Sequence, residues 1–118
     1  MRVNEMADCI FCKIAAGEIP SNKVYEDELV LAFYDLNPMA KVHILVIPKM
    51  HIANMLEIDE ENSAVVAHIF EVIAKIAKDL KLEKGFRVVS NCNEYAGQSV
   101  FHLHYHILGG EQLSLTMC

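Results

Sequence analysis

The chain has 118 residues, the length of one domain, and 53% of them are hydrophobic, enough to bury a core without disulfide bridges. A net charge of −6 excludes a counterion-releasing grip on polymeric nucleic acid, but not a mononucleotide held by backbone N–H groups. The first eight residues are polar with no apolar core of a signal, and no apolar run approaches a membrane span, so a cytoplasmic chain with reduced cysteines and no membrane partner is expected.

Asp8 is placed as the cap of a short helix running from Cys9 to about Ala16, with Gly17 ending it. Strands are expected at 23–26 and 29–34, with Asp27-Glu28 as the turn between them and Asn37-Pro38 as the stop. The apolar, β-branched run 43–47 reads as a buried strand closed by Pro48. A long helix follows. Asp59 is its expected N-cap, Val65, Ile69, Ile73, Ile76 and Leu80 recur at helical spacing, and Gly85 is its expected end. Residues 86–90 form a fourth strand, 91–99 a polar loop containing Gly97, and 100–108 a fifth strand broken by Gly109-Gly110. This order implies an α+β domain: an antiparallel sheet of about five strands with both helices on one face.

Strict alternation along 100–108 would put His102, His104 and His106 on one face of the last strand and Leu103, Tyr105 and Ile107 on the other. A polar strand face that happens to be histidine is the bland reading, and two chemical readings compete with it. Histidines two apart on a strand can hold a catalytic Zn²⁺, and Glu111 follows as in cupin-type sites. A β-roll has no place for the long helix, however, and Glu111 lies beyond Gly109-Gly110. Alternatively, neutral imidazole is a nucleophile near pH 7, and its neighbours can hold its tautomer and donate to phosphate. Cys9 and Cys12 have the CxxC spacing of a redox pair or a metal knuckle. Phe11, Ile14 and Phe33 could be core, Asp35 a turn residue, and His68, in mid-helix, is assigned no role.

In His102-Leu103-His104-Tyr105-His106-Ile107-Leu108 the chain resembles the histidine triad (HIT) nucleotide-binding proteins. The likeness extends to Cys9-Ile10-Phe11-Cys12-Lys13-Ile14 with Gly17-Glu18-Ile19-Pro20, to Ala32-Phe33-Tyr34-Asp35-Leu36-Asn37-Pro38, and to the stretch from His43 to Ile52. It includes Asn91 with Gly97-Gln98-Ser99-Val100-Phe101, and so covers about 8–110 of one domain spanning 1–118, with a divergent tail at 111–118.

The resemblance implies a HIT-like fold and, from the bacterial phosphoramidase branch, hydrolysis of nucleoside 5′-phosphoramidates or related adenylates through a nucleotidyl-histidine. It makes His104 the nucleophile, His106 a donor to a phosphate oxygen, and His43 the residue that orients the triad. Ser99 with the Gly97-Gln98-Ser99 backbone would bind phosphate or assist the leaving group. Asp35 would take the ribose hydroxyls, with Asn37 beside it, Asn91 would meet ribose or phosphate, and Ile10, Phe11, Ile14, Phe33 and Leu36 would line the pocket of a purine base. Cys9, Cys12, His51 and His102 would hold a structural zinc; catalysis would need no cofactor. A homodimer joined through the long helix and an edge strand is also implied. Absence of tryptophan sets the tail apart from many purine-preferring members. Dinucleoside polyphosphate hydrolysis, a noncatalytic nucleotide-binding module and a zinc hydrolase using the triad as ligands are the alternatives.

Overall fold

The computed structural model describes residues 8–117; the polar residues 1–7 and Cys118 of the tail lie outside the described residues. Helix α1 (Ile10–Ala15) precedes strands β1 (Lys23–Glu26), β2 (Val30–Tyr34) and β3 (Val42–Pro48). A 3₁₀ turn at Met55–Glu57, helix α2 (Ser63–Asp79), β4 (Phe86–Val89), a second 3₁₀ turn at Glu94–Ala96 and β5 (Tyr105–Gly109) follow. The strands form one antiparallel sheet in the order β1-β2-β3-β5-β4, so the last strand in the chain slots between β3 and β4.

Period-two alternation divides β2 and β3 between two cores. Val30, Ala32, Ile44 and Val46 face α2, where Val65, Ile69, Val72, Ile73 and Ile76 make its buried stripe. Leu31, Phe33, Leu45 and Ile47 face the other way and are covered by Phe11 and Ile14 of α1. The two helices therefore take opposite faces of the sheet, not one. Strand β3 is apolar on both sides because both sides are covered. Among the described residues, no helix is long and apolar enough to cross a membrane.

Four boundaries differ from expectation, each because a particular hydrogen bond takes over. Cys9, not Asp8, caps α1, its thiol sulfur accepting the Cys12 N–H at 3.2 Å. Asp59 shapes the turn before α2 instead of capping it: its carboxylate accepts the Glu61 N–H at 2.9 Å, and Asn62 is the N-cap. Helix α2 ends well before Gly85, because Lys81 takes a left-handed φ of 60° and Leu82 N–H closes on Ala77 C=O at 2.8 Å. The fifth strand begins at Tyr105, five residues later than the alternation suggests. Ahead of it, Leu103 N–H donates to Ile52 C=O at 2.6 Å and Ser90 Oγ–H to His104 C=O at 2.9 Å, so that stretch is bonded outside the ladder.

One polar cluster joins the sheet to α2. Asp27 accepts the Leu29 and Val30 N–H groups on one oxygen, at 2.8 Å each, and Tyr25 O–H and His68 Nε2–H on the other, at 2.7 and 2.6 Å. Partial burial pushes the Asp27 carboxyl up, but the hydrogen bonds from His68, Tyr25 and the two amides outweigh it and hold the carboxyl below its usual range. The bond to Asp27, and then that to Glu71, raises the His68 pKa. His68 protonation thus contributes stability that is full below about pH 6.5 and fades as pH rises through its raised folded value, while that of Asp27 fades as pH falls below about 4. His68→Ala should cost about 1 kcal/mol near pH 6, shrinking toward both ends, in urea unfolding measured across that range. A cost independent of pH would contradict the ion pair.

Candidate active site

On the α1 face of the sheet, β3 supplies His43 and β5 supplies His106; His106 pairs with Leu45 and His43 with Leu108, so the two are diagonal neighbours, with His43 Nε2 2.9 Å from His106 Nδ1. His104 stands just ahead of β5, its ring centroid 5.1 Å from that of His106. Phe11 of α1 packs edge-on against His104 at 5.1 Å, against Phe33 at 5.7 Å and against His102 at 6.0 Å, which fixes the His104 ring plane and screens it from water.

The hydrogen bonds assign every tautomer. A carbonyl can only accept, so His104 Nδ1, 2.7 Å from His102 C=O, carries the proton and leaves the Nε2 lone pair bare. Met39 N–H can only donate, so His43 Nδ1, 3.0 Å away, is the bare nitrogen and His43 Nε2 is protonated. His43 Nε2–H then donates to His106 Nδ1, which leaves the His106 proton on Nε2. The site therefore presents one unprotonated nitrogen, on His104, beside one N–H donor, on His106. Burial keeps all three rings neutral. It lowers the pKa of His43 and His104, and with the neighbouring His104 and His43 brings His106 to about 4. Asp35 Oδ2, 3.5 Å from His43 Nε2, is the nearby negative charge that opposes this lowering.

His102 has a different assignment. Wholly buried, it donates from Nε2 to Pro48 C=O at 2.8 Å and turns its Nδ1 lone pair to Cys9 Sγ at 3.2 Å and Cys12 Sγ at 3.4 Å. His51 Nδ1 lies 3.1 Å from Cys12 Sγ. The four ligand atoms fall within 4.8 Å of one another, and the sulfur–nitrogen separations approach the roughly 3.5 Å edge of a tetrahedron built from Zn–S and Zn–N bonds. Burial, then the hydrogen bond and charge of Cys9, push the Cys12 thiol up to about 12, so two thiolates need a cation between them. The donor set fits zinc.

Asp35, His43 and His106 also cluster within 4.8 Å, but the Met39 N–H occupies the lone pair of neutral His43, so this group is a hydrogen-bond chain and His43 has no free nitrogen for a metal. The triad does not converge on one ion, and Glu111 is engaged by Lys41 N–H at 2.7 Å. Both catalytic-zinc readings of the sequence fail on these bonds.

The remaining candidates divide. Phe11, Ile14 and Phe33 are buried in the α1-side core, Ile10 is half exposed, and Leu36 is 92% exposed beside exposed Asn37. Asp35 also accepts Asn37 N–H at 2.7 Å. Asn91 is half-buried beyond β4, Gly97 and Ser99 are exposed, and Gln98 is buried. Sequence reasoning missed Met39, Ser90, Asn54 and Asn93. The first acts through its main chain and carries no side-chain signal; the polar loop around Asn93 was the one available hint.

A family model described as HIT domain matches residues 16–113. A HIT-like protein of Synechococcus elongatus is 50% identical over 91% of this chain and 94% of its own. A histidine triad protein from Clostridium difficile is 55% identical with TM-score 0.88, covering 97% of this chain and 96% of that one. A HIT family hydrolase from Clostridium thermocellum is 50% identical with TM-score 0.91, covering 94% and 97%.

Imidazole ¹⁵N spectra at neutral pH should show His104 as the Nδ1–H tautomer and His106 as the Nε2–H tautomer. The reverse pattern in His106 would break the chain of bonds from Met39, and in His104 the bond to the His102 carbonyl.

Proposed function

Because the chain belongs to the HIT domain family, we propose that it hydrolyses nucleoside 5′-phosphoramidates or related adenylates through a nucleotidyl group carried on His104. The observation that carries this reading is the hydrogen bond from His104 Nδ1–H to His102 C=O, which aims a bare Nε2 outward beside the Nε2–H of His106. The lone pair of Nε2 attacks the α-phosphorus in line; the bond from phosphorus to the leaving group breaks, and a nucleotidyl-histidine remains. The carbonyl of His102 stabilises the positive charge that develops on the ring, and His106 Nε2–H donates to a phosphate oxygen. Ser99, exposed at the loop end, assists the leaving group. Water then attacks phosphorus and restores His104. Asp35 and Asn37 lie on the ribose side, Ile10 and Leu36 offer exposed apolar surface to a purine base, and Asn91 meets ribose or phosphate. The hydrolase description of the similar Clostridium thermocellum protein supports the reaction class.

Cys9, Cys12, His51 and His102 would hold Zn²⁺ as a closed four-ligand site, which ties α1 to the stretch before β5. A homodimer is in keeping with the unpaired edge of β4 and with Phe70, 49% exposed on α2. Among the described residues Cys9, Cys12 and Cys92 form no disulfide, in keeping with a reducing, cytoplasmic setting.

Release of AMP from adenosine 5′-phosphoramidate tests the reaction. His104→Ala, with native circular dichroism, should lose at least about 10³-fold in kcat. A wild type that binds AMP without turnover would replace the enzyme with a noncatalytic binding module. Chelation should lower the thermal midpoint by about 10 °C while kcat per folded molecule stands. Loss of kcat with an unchanged midpoint would assign the metal to the chemistry.

A further inference from the structure

Gln98 belongs to the loop that the proposed function assigns to phosphate, yet its side chain has nothing left to offer one. Its amide Nε2 gives both hydrogens away, to Ala53 C=O at 2.8 Å and Val100 C=O at 3.0 Å. Its Oε1 accepts the Asn93 N–H at 2.8 Å, and the residue is 6% exposed. The main chains close the same ring, with Gln98 N–H and Ala96 N–H donating to Asn93 C=O at 3.1 and 3.2 Å.

Asn93 itself has φ 67° and ψ −179°, a region that glycine reaches freely and a residue with a β-carbon enters only under constraint. Buried Asn54 supplies a further hold: Nδ2–H donates to Asn93 Oδ1 at 3.3 Å, while its Oδ1 takes Leu56 N–H at 3.0 Å. These bonds anchor the loop on residues 53–54. The adjoining Ile52 C=O receives Leu103 N–H, so the loop and the His104 stretch are referenced to one short segment.

We infer that Gln98 is a positioning residue rather than a phosphate ligand, and that with Asn54 it holds Asn93 in a strained conformation that sets where the Gly97 and Ser99 backbone points. This rests on the proposed function for the ligand's identity. The shape of the loop exists without it, as preorganisation fixed before any nucleotide arrives.

Three variants test it: Gln98→Met, Asn93→Ala and Asn93→Gly. Glycine adopts the Asn93 backbone angles unaided, so Asn93→Gly should bind AMP within about twofold of wild type. Asn93→Ala keeps the β-carbon without the Asn54 bond, and Gln98→Met releases the ring. Both should bind AMP about tenfold more weakly and raise KM for adenosine 5′-phosphoramidate with kcat little changed. Amide hydrogen exchange, measured without ligand, should quicken across 91–99 in those two and stay unchanged in α2.

Equal loss in the glycine and alanine variants would mean that the Asn93 side chain touches the ligand, and would overturn the inference. So would unchanged exchange in Gln98→Met. A wild type that binds AMP without turnover would overturn the phosphoramidase reading alone, because the affinity and exchange measurements still decide on Gln98 and Asn93.

Discussion

One main-chain N–H sets the proton arrangement of His43 and His106. The Met39 amide points at His43 Nδ1, and from that contact the protonated nitrogen of His43, the bare nitrogen of His106 and the outward donor of His106 follow in turn. A backbone amide has no second protonation state near neutrality and cannot be removed by ordinary substitution. It is therefore a firmer reference than any side chain. The carbonyl of His102 plays the matching part for His104, imposing a proton on Nδ1. Two neutral imidazoles a ring's width apart are thus set to opposite tasks, one to give an electron pair and one to give a proton. Burial keeps both uncharged, which a nucleophile requires and a free surface histidine would not ensure.

The same backbone logic separates the two halves of the histidine motif. His102 and His104 are two residues apart, yet one turns its lone pair toward two cysteines at the start of α1 and the other toward the substrate side. Both rings pack on Phe11, and they differ in the nitrogen that donates to a carbonyl, Nε2 in His102 and Nδ1 in His104. One motif thus sets a donor beside two cysteines and a bare nitrogen beside His106. Helix α1 benefits as well: the Cys9 thiol sulfur caps it and Phe11 extends over His104. On the α1 face, core packing and site construction share the same residues.

Much of the fold was legible in residue types and spacing. The β-branched run at 43–47, the apolar stripe of α2 and the glycine-punctuated loops gave the element order, and spacing alone marked Cys9 and Cys12, while His51 and His102 joined them as zinc donors only through the family resemblance. What alternation could not reveal was where β5 begins. Leu103 is buried and His102 flanks it, so the pattern reads as strand, while the backbone partner that removes it from the sheet, Ile52, is distant in sequence. The face taken by α1 was hidden for a related reason, because β2 and β3 are apolar on both sides. The resemblance gave the Gly97-Gln98-Ser99 backbone to phosphate and carried no hint of where the Gln98 side chain goes. Its partners are main-chain groups of Ala53, Asn93 and Val100, whose side chains carry no signal of the contact.

Strand order carries a consequence for assembly. Residues 105–109 fill the gap between β3 and β4, so during synthesis the edge of β3 waits bare until the last strand emerges. Helix α2 can dock on β2 and β3 beforehand, but β4 has no neighbour to pair with until β5 arrives. Bringing in that strand closes the sheet and seats His106 against His43 in the same event. The His43–His106 contact therefore depends on a strand pairing between residues 63 apart in sequence, a class of contact that generally forms slowly.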